Sequence, residues 1–174
     1  MSHEVAVNAR TIPPAASKVR LRDFSRSLPM SLLRSREAVM RHFRVTLRGH
    51  DITEQQWRVL RALSSVGEVE INDLVRSTFL LAPSLSRILR DLEARQLIIR
   101  RTPASDLRRS LISIAPAGLA LIEIVGPHSE AIYAEITRRY GAEKLALLQD
   151  MLRDLEREMT AFAPLDSALD DIQL

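Results

Sequence analysis

A mainly α-helical chain carrying one small β-wing follows from three observations. Aromatic residues make up only 4% of the 174 residues and glycine is scarce, with five in all, while Leu, Ala, Arg and Glu abound, a composition that favours helix. Within residues 82–95, Leu85, Ile88, Leu89 and Leu92 recur on one side of an amphipathic helix. Directly after it, Leu97-Ile98-Ile99-Arg100-Arg101 reads as a strand, 103–110 as a polar turn and Leu111-Ile112-Ser113-Ile114 as a returning strand. Helix, strand, basic turn, strand is the order of a winged helix-turn-helix. Further helices before and after it are expected to serve dimerisation.

Taken in order, residues 1–27 read as a basic tail. Pro13-Pro14 breaks any helix there, and Arg10, Lys18, Arg20, Arg22 and Arg26 supply its charge. A solvated, disordered arm accounts for it, as does an extra phosphate-binding arm. Pro29 opens a helix to about Gly49. Thr53-Glu54-Gln55-Gln56 is a capping box, with Thr53 at the N-cap and Gln56 three residues on, starting a helix through Leu63. Val69 marks a short strand, and a third helix starts near Asn72 and ends around Thr78. Phe79-Leu80-Leu81 is the turn into the helix at 82, where Pro83 fits the first turn because its missing N–H costs nothing.

Pro116 then starts a long helix to Tyr140, with strain expected at Gly126-Pro127, and Gly141 separates it from a last helix over 142–162. There Leu145, Leu148, Leu152, Leu155, Met159 and Phe162 alternate steps of three and four, the seam of a coiled coil. A single buried helix could carry such a seam, but the winged module offers no obvious surface to cover it, so a homodimer is expected. The organisation is then a tail (1–27), one domain (28–162) and an acidic C-terminal tail (163–174). Within the domain, a DNA-binding lobe spans about 53–115, with dimerisation helices over about 29–49 and 116–162.

The helix at 82–95 carries Ser84, Ser86, Arg87 and Arg90 on its other face, short hydroxyls and forked guanidiniums that suit phosphates and the O6/N7 edge of guanine. A solvated surface helix would look similar in isolation. The wing adds weight: residues 82–110 hold seven arginines, Arg109 among them, against three acids, a net +4 where the whole chain carries +3. Such a concentrated basic stripe is the footprint of a nucleic-acid surface.

Other classes find little support. His3, His42, His50 and His128 have no metal-ligand spacing, and no phosphate loop or nucleophile motif occurs, so neither an enzyme nor a cofactor is expected. No apolar run approaches the ~18 residues of a membrane span, and no secretory signal is visible at the N-terminus, which points to the cytoplasm. A winged-helix protein-interaction module, or an RNA binder, would keep the fold with another partner.

Four motifs in order carry a family resemblance over roughly 28–162: Thr53-Glu54-Gln55-Gln56-Trp57-Arg58-Val59-Leu60-Arg61-Ala62-Leu63, then Pro83-Ser84-Leu85-Ser86-Arg87-Ile88-Leu89, then Leu92-Glu93, then Asp106-Leu107-Arg108. The chain thereby resembles the MarR family of transcriptional regulators. Arg36-Glu37-Ala38, Met40 and Phe43-Arg44 ahead of the capping box are similar to the subgroup regulating homoprotocatechuate degradation. The resemblance implies double-stranded DNA as partner, with Arg108 entering the minor groove and Asp106 bracing it. A narrow minor groove concentrates negative potential that a guanidinium fits. One departure is Ala115-Pro116, where the family usually has a capping Thr.

The resemblance also implies a small aromatic carboxylate, or an aromatic coenzyme A thioester, held in a cleft between the DNA-binding lobe and the dimerisation helices. On a helical wheel, Leu32, Leu33, Val39, Met40, Phe43 and Leu47 share one face, and Arg36 falls in the middle of that arc. A guanidinium buried there must meet an anion, supplied either by an effector or by an ion pair across the dimer. Arg34 and His42 flank the arc. Trp57 suits core packing first, and the wall of an aromatic pocket second. With no cysteine, a thiol-oxidation switch is excluded.

Overall fold

The computed structural model describes residues 23–103 and 109–161. The chain divides into two compact units, residues 1–39 and 40–174, and the boundary falls inside helix α1 (Leu28–Gly49). In the first unit, Phe24–Arg26, assigned from the sequence to the tail, form a 3-10 turn. Asp23 caps it by accepting from the Ser25 amide at 2.8 Å. The start of α1 lies one residue before Pro29, which sits in the first turn as expected.

The second unit holds the winged helix-turn-helix. Its elements are α2 (Glu54–Ser64), β1 (Glu68–Glu70), α3 (Ile71–Thr78), α4 (Ala82–Ala94), β2 (Ile98–Arg101), β3 (Leu111–Ile114), α5 (Pro116–Tyr140) and α6 (Ala142–Ala161). The capping box at Thr53 is complete: the Gln56 amide donates to Thr53 Oγ1 at 3.2 Å, and the Thr53 amide donates to Gln56 Oε1 at 2.8 Å. Gln56 then reaches further, donating from Nε2 to Asp91 Oδ2 at 2.5 Å, so the cap of α2 also fixes α4.

The antiparallel sheet runs β1-β3-β2, with Val69 opposite Ile112 and Arg100 opposite Ile112 from the other side. The wing is thus a hairpin whose return strand is paired on both edges, and Ile112 is fully buried at its centre. Val59, Leu60 and Leu63 of α2, Leu74 of α3 and Leu85, Leu89 and Leu92 of α4 close the core beneath it. Leu85, Leu89 and Leu92, with the buried Ile88, are the periodic apolar positions read from the sequence of α4.

A charged cluster joins the helices at the edge of that core. Glu54 is only 9% exposed and accepts from Arg44 of α1 at 2.8 Å and Arg58 of α2 at 3.0 Å. Arg58 also donates to the carbonyl of Thr78, the last residue of α3, at 3.0 Å. Removing the shared carboxylate leaves two cations without it. Glu54→Gln is therefore expected to lower stability by about 1–2 kcal/mol, less than a fully buried pair would lose because both arginines keep partial solvent access. Urea unfolding checks this, and an unchanged midpoint would show that water replaces Glu54 freely.

The helix α5 runs unbroken through Pro127, so the strain expected at Gly126-Pro127 does not interrupt it. Its N-cap Ala115 makes no side-chain cap bond; instead its amide donates to the carbonyl of Leu97 at 3.0 Å. The backbone of Ala115 thus ties the start of the helix to Leu97, just ahead of the wing. On α6 no described residue is buried; of the seam, Leu148, Leu152 and Met159 are exposed and Leu145 and Leu155 half-buried, so the seam is largely open in the single chain. Phe162 lies outside the described residues. Among the described residues no helix is long and apolar enough to cross a membrane.

Candidate nucleic-acid interface

The turn between α3 and α4 is set from beneath. Thr78 is buried and its hydroxyl donates back to the Leu74 carbonyl, while Arg58 holds the Thr78 carbonyl. Phe79 then takes a left-handed conformation, φ 53°, and its amide closes α3 on Val75 at 3.0 Å. That conformation is unusual for a bulky residue and redirects the chain into α4. The first turn of α4 has no side-chain cap on Leu81, which leaves its leading amides open to an outside acceptor.

Leu85, Ile88, Leu89 and Leu92 bury one face of α4. The opposite face presents Ser86, Arg87 and Arg90 to solvent, with Ser84 half-buried. Among the described residues neither Arg87 nor Arg90 has a hydrogen-bond or ion-pair partner. The other described arginines of the basic window differ. Arg95 lies 3.8 Å from Asp91 and 4.0 Å from Asp51, and Arg100 pairs with Glu93 at 3.1 Å. Arg101 pairs with Glu68 at 2.6 Å, and Arg109 with Glu70. Arg101 holds the Glu68 carboxyl below the usual carboxylate range, chiefly by their hydrogen bond.

The net +4 of residues 82–110 thus overstates the charge free to meet DNA. Strand β1 and residue Asp51, outside that window, bring Glu68, Glu70 and Asp51 against its arginines. Arg109, expected to contact DNA, is half-exposed and already engaged by Glu70. Asp106 and Arg108, the expected wing pair, lie outside the described residues.

Beside Arg87 opens a groove of about 520 Å³, bounded by the start of α2, the α3–α4 turn and α4. Gln55, Phe79 and Leu81 line it together with Ser84 and Arg87. Sequence reasoning misses the first three. Phe79 and Leu81 read there only as turn residues, although two large apolar side chains in a turn beside a recognition helix are a legible signal.

The expected effector residues fall in both units. In the first unit Arg36 is exposed and bonded to Glu37 at 2.8 Å, and Arg34 donates to the Ser25 carbonyl at 3.4 Å. In the second, Trp57 and Phe43 are core residues, Phe43 lying 5.0 Å from the Tyr133 ring between centroids, and Met40 packs partly buried against that core. His42 lines a cavity of about 340 Å³ between α1 and α5, with Ile132, Ile136, Glu135 and Arg139. Glu135 is brought down to about 2 by hydrogen bonds from Arg138 and then Arg139. It is therefore ionised and already occupies the cations that would draw a carboxylate there.

Residues 50–109 match the model of the MarR family. The HTH-type transcriptional regulator FarR of Neisseria gonorrhoeae is 37% identical over 131 residues, 75% of this chain and 90% of FarR. The homoprotocatechuate degradative operon repressor of Escherichia coli is 36% identical over 128 residues, 74% of this chain and 86% of the repressor. Among solved structures, NadR in complex with 4-hydroxyphenylacetate superposes with a TM-score of 0.71 at 35% identity, covering 78% of this chain and 98% of NadR. The chain belongs to the MarR family and is a DNA-binding transcriptional regulator of the winged helix-turn-helix type, not an enzyme.

Proposed function

We propose that the protein is a repressor that binds a pseudo-palindromic operator as a homodimer and is released by a small aromatic acid or its coenzyme A thioester, controlling aromatic-compound catabolism. The observation that carries the reading is the solvent face of α4, where Arg87 and Arg90 stand without partners among the described residues while the described arginines around them are paired. Ser84, Ser86, Arg87 and Arg90 read the major groove, and Arg108, braced by Asp106, reads the adjacent minor groove. The open apolar seam of α6 supports the dimer, and two symmetric lobes would meet half-sites roughly 34–36 Å apart or a multiple of that. The names of two relatives, one the repressor of a homoprotocatechuate operon and the other bound to 4-hydroxyphenylacetate, support the effector class.

Light scattering and gel shifts on the gene's own promoter region test this together. The expected mass is twice 19.7 kDa, with one shifted species that competitor duplex RNA does not displace. A clean monomer that binds a palindrome tightly would sink the dimer. For release, Arg36 is the proposed anion partner of the effector, exchanging its exposed pair with Glu37 for the effector carboxylate. An effector can act only through unequal affinity for two conformers, typically worth about 1–3 kcal/mol. Arg36→Met is expected to keep operator affinity and lose release by 4-hydroxyphenylacetate, and the carboxamide analogue to fail on the wild type. Release of the Arg36→Met protein at the same concentration would make Arg36 structural and move the anchor to Arg34 or His42.

A further inference from the structure

We infer that Phe79 and Leu81 form an apolar reading edge that packs on thymine methyl groups of the operator, next to the base contacted by Arg87. The inference rests on the reading of the α4 face as the major-groove element. Phe79 is 79% exposed and Leu81 76%, among the most exposed large apolar side chains of the described chain. Both line the groove that Ser84 and Arg87 also line, so their apolar surface is continuous with the polar reading face. Leu81 is the N-cap residue of α4, and the N-terminal end of a recognition helix is the part that reaches base edges.

The occupant follows from what a major groove offers. Its base edges present hydrogen-bond donors and acceptors with one apolar exception, the C5 methyl of thymine. A leucine and a phenylalanine cannot satisfy phosphates or guanine edges, and placing them against those groups would desolvate the nucleic acid without return. Against a methyl, each buries apolar surface that water otherwise covers. The turn is also held rigidly: Arg58 and the buried Thr78 hydroxyl fix its start, and Phe79 keeps a left-handed backbone that glycine or asparagine would adopt more readily. A bulky side chain at a backbone position disfavoured for it points to a site where strain serves a function.

The test is a cycle on the full-length protein by fluorescence anisotropy. Each thymine of the operator is replaced singly by deoxyuridine, which removes only the C5 methyl. The wild type is expected to lose about fourfold in affinity at one or two thymines per half-site, the worth of a buried methyl. Leu81→Ala, which removes no hydrogen bond, should bind the thymine and deoxyuridine duplexes equally at one of those positions. Phe79→Asn, whose residue type suits the left-handed backbone, keeps the turn and should abolish the preference at the neighbouring one. Affinity reduced equally on both duplexes would place these side chains on the sugar-phosphate backbone and overturn the inference. So would a wild type indifferent to every methyl. A wild type that binds no operator, or an Arg87→Ala protein of full affinity, would instead sink the reading of α4 itself.

Discussion

Gly118→Ala is expected to destabilise the fold by about 1–3 kcal/mol, although in an ordinary helix the same change adds stability. Gly118 lies in the first turn of α5, at the point where that helix leaves the wing. A Cβ built there would lie 2.2 Å from the carbonyl oxygen of Leu97 and 2.8 Å from Cγ1 of Ile114. The first of these is backbone, and it also accepts the Ala115 amide that ties α5 to the wing. No rotamer change relieves the clash, so either α5 or the strand start must shift. The expected loss therefore exceeds the roughly 1 kcal/mol that a helical alanine contributes over glycine. Gly49→Ala, at the open end of α1 with nothing within 4 Å, serves as the control and should be neutral or slightly stabilising. Thermal unfolding of the three proteins decides the matter. A Gly118→Ala protein as stable as the wild type would mean that α5 slides along the wing without cost.

Gly118 also marks where the sequence stops being legible. It reads as an unremarkable helix residue, because the atom it must avoid belongs to Leu97, just ahead of β2 and 21 positions earlier in the chain. What is legible is local. The capping box at Thr53 needs only residues three apart, and the buried face of α4 follows from spacing along one helix. The strands of the wing come from two short apolar runs and a polar turn. Each of these is settled by interactions within a few residues.

The rest depends on pairings across the fold. A short strand near Val69 can be anticipated, but its place beside β3 cannot, and that place brings Glu68 and Glu70 onto Arg101 and Arg109. Counting charge within a sequence window adds both arginines to a basic surface; the sheet gives them partners within the chain. The left-handed turn at Phe79 is hidden for a different reason: glycine or asparagine would announce it, and phenylalanine does not. For Arg36, the wheel identifies an apolar arc, yet Leu32, Leu33 and Val39 on that arc are exposed in the single chain. The burial argument therefore does not hold in the single chain.

The same distinction between paired and unpaired arginines predicts a division in DNA binding. Arg87→Ala should weaken operator binding by about 1–3 kcal/mol per half-site, roughly 5- to 150-fold, and relax preference at one base position if the guanidinium reads a guanine edge. Arg101→Ala and Arg109→Ala should cost much less, because each arginine would have to surrender Glu68 or Glu70 to reach a phosphate. Arg108→Ala should act mainly where the flanking minor groove is narrow. Salt titration separates the cases, since removing one neutralised phosphate reduces the slope of log affinity against log salt by about 0.9. For Arg101 and Arg109 the slope should stay near that of the wild type; for Arg90, if it meets a phosphate, it should fall by that amount in each half-site. The opposite pattern, with Arg101→Ala severe and Arg87→Ala silent, would mean that the strand pairs open on DNA and that the wing, not α4, carries recognition.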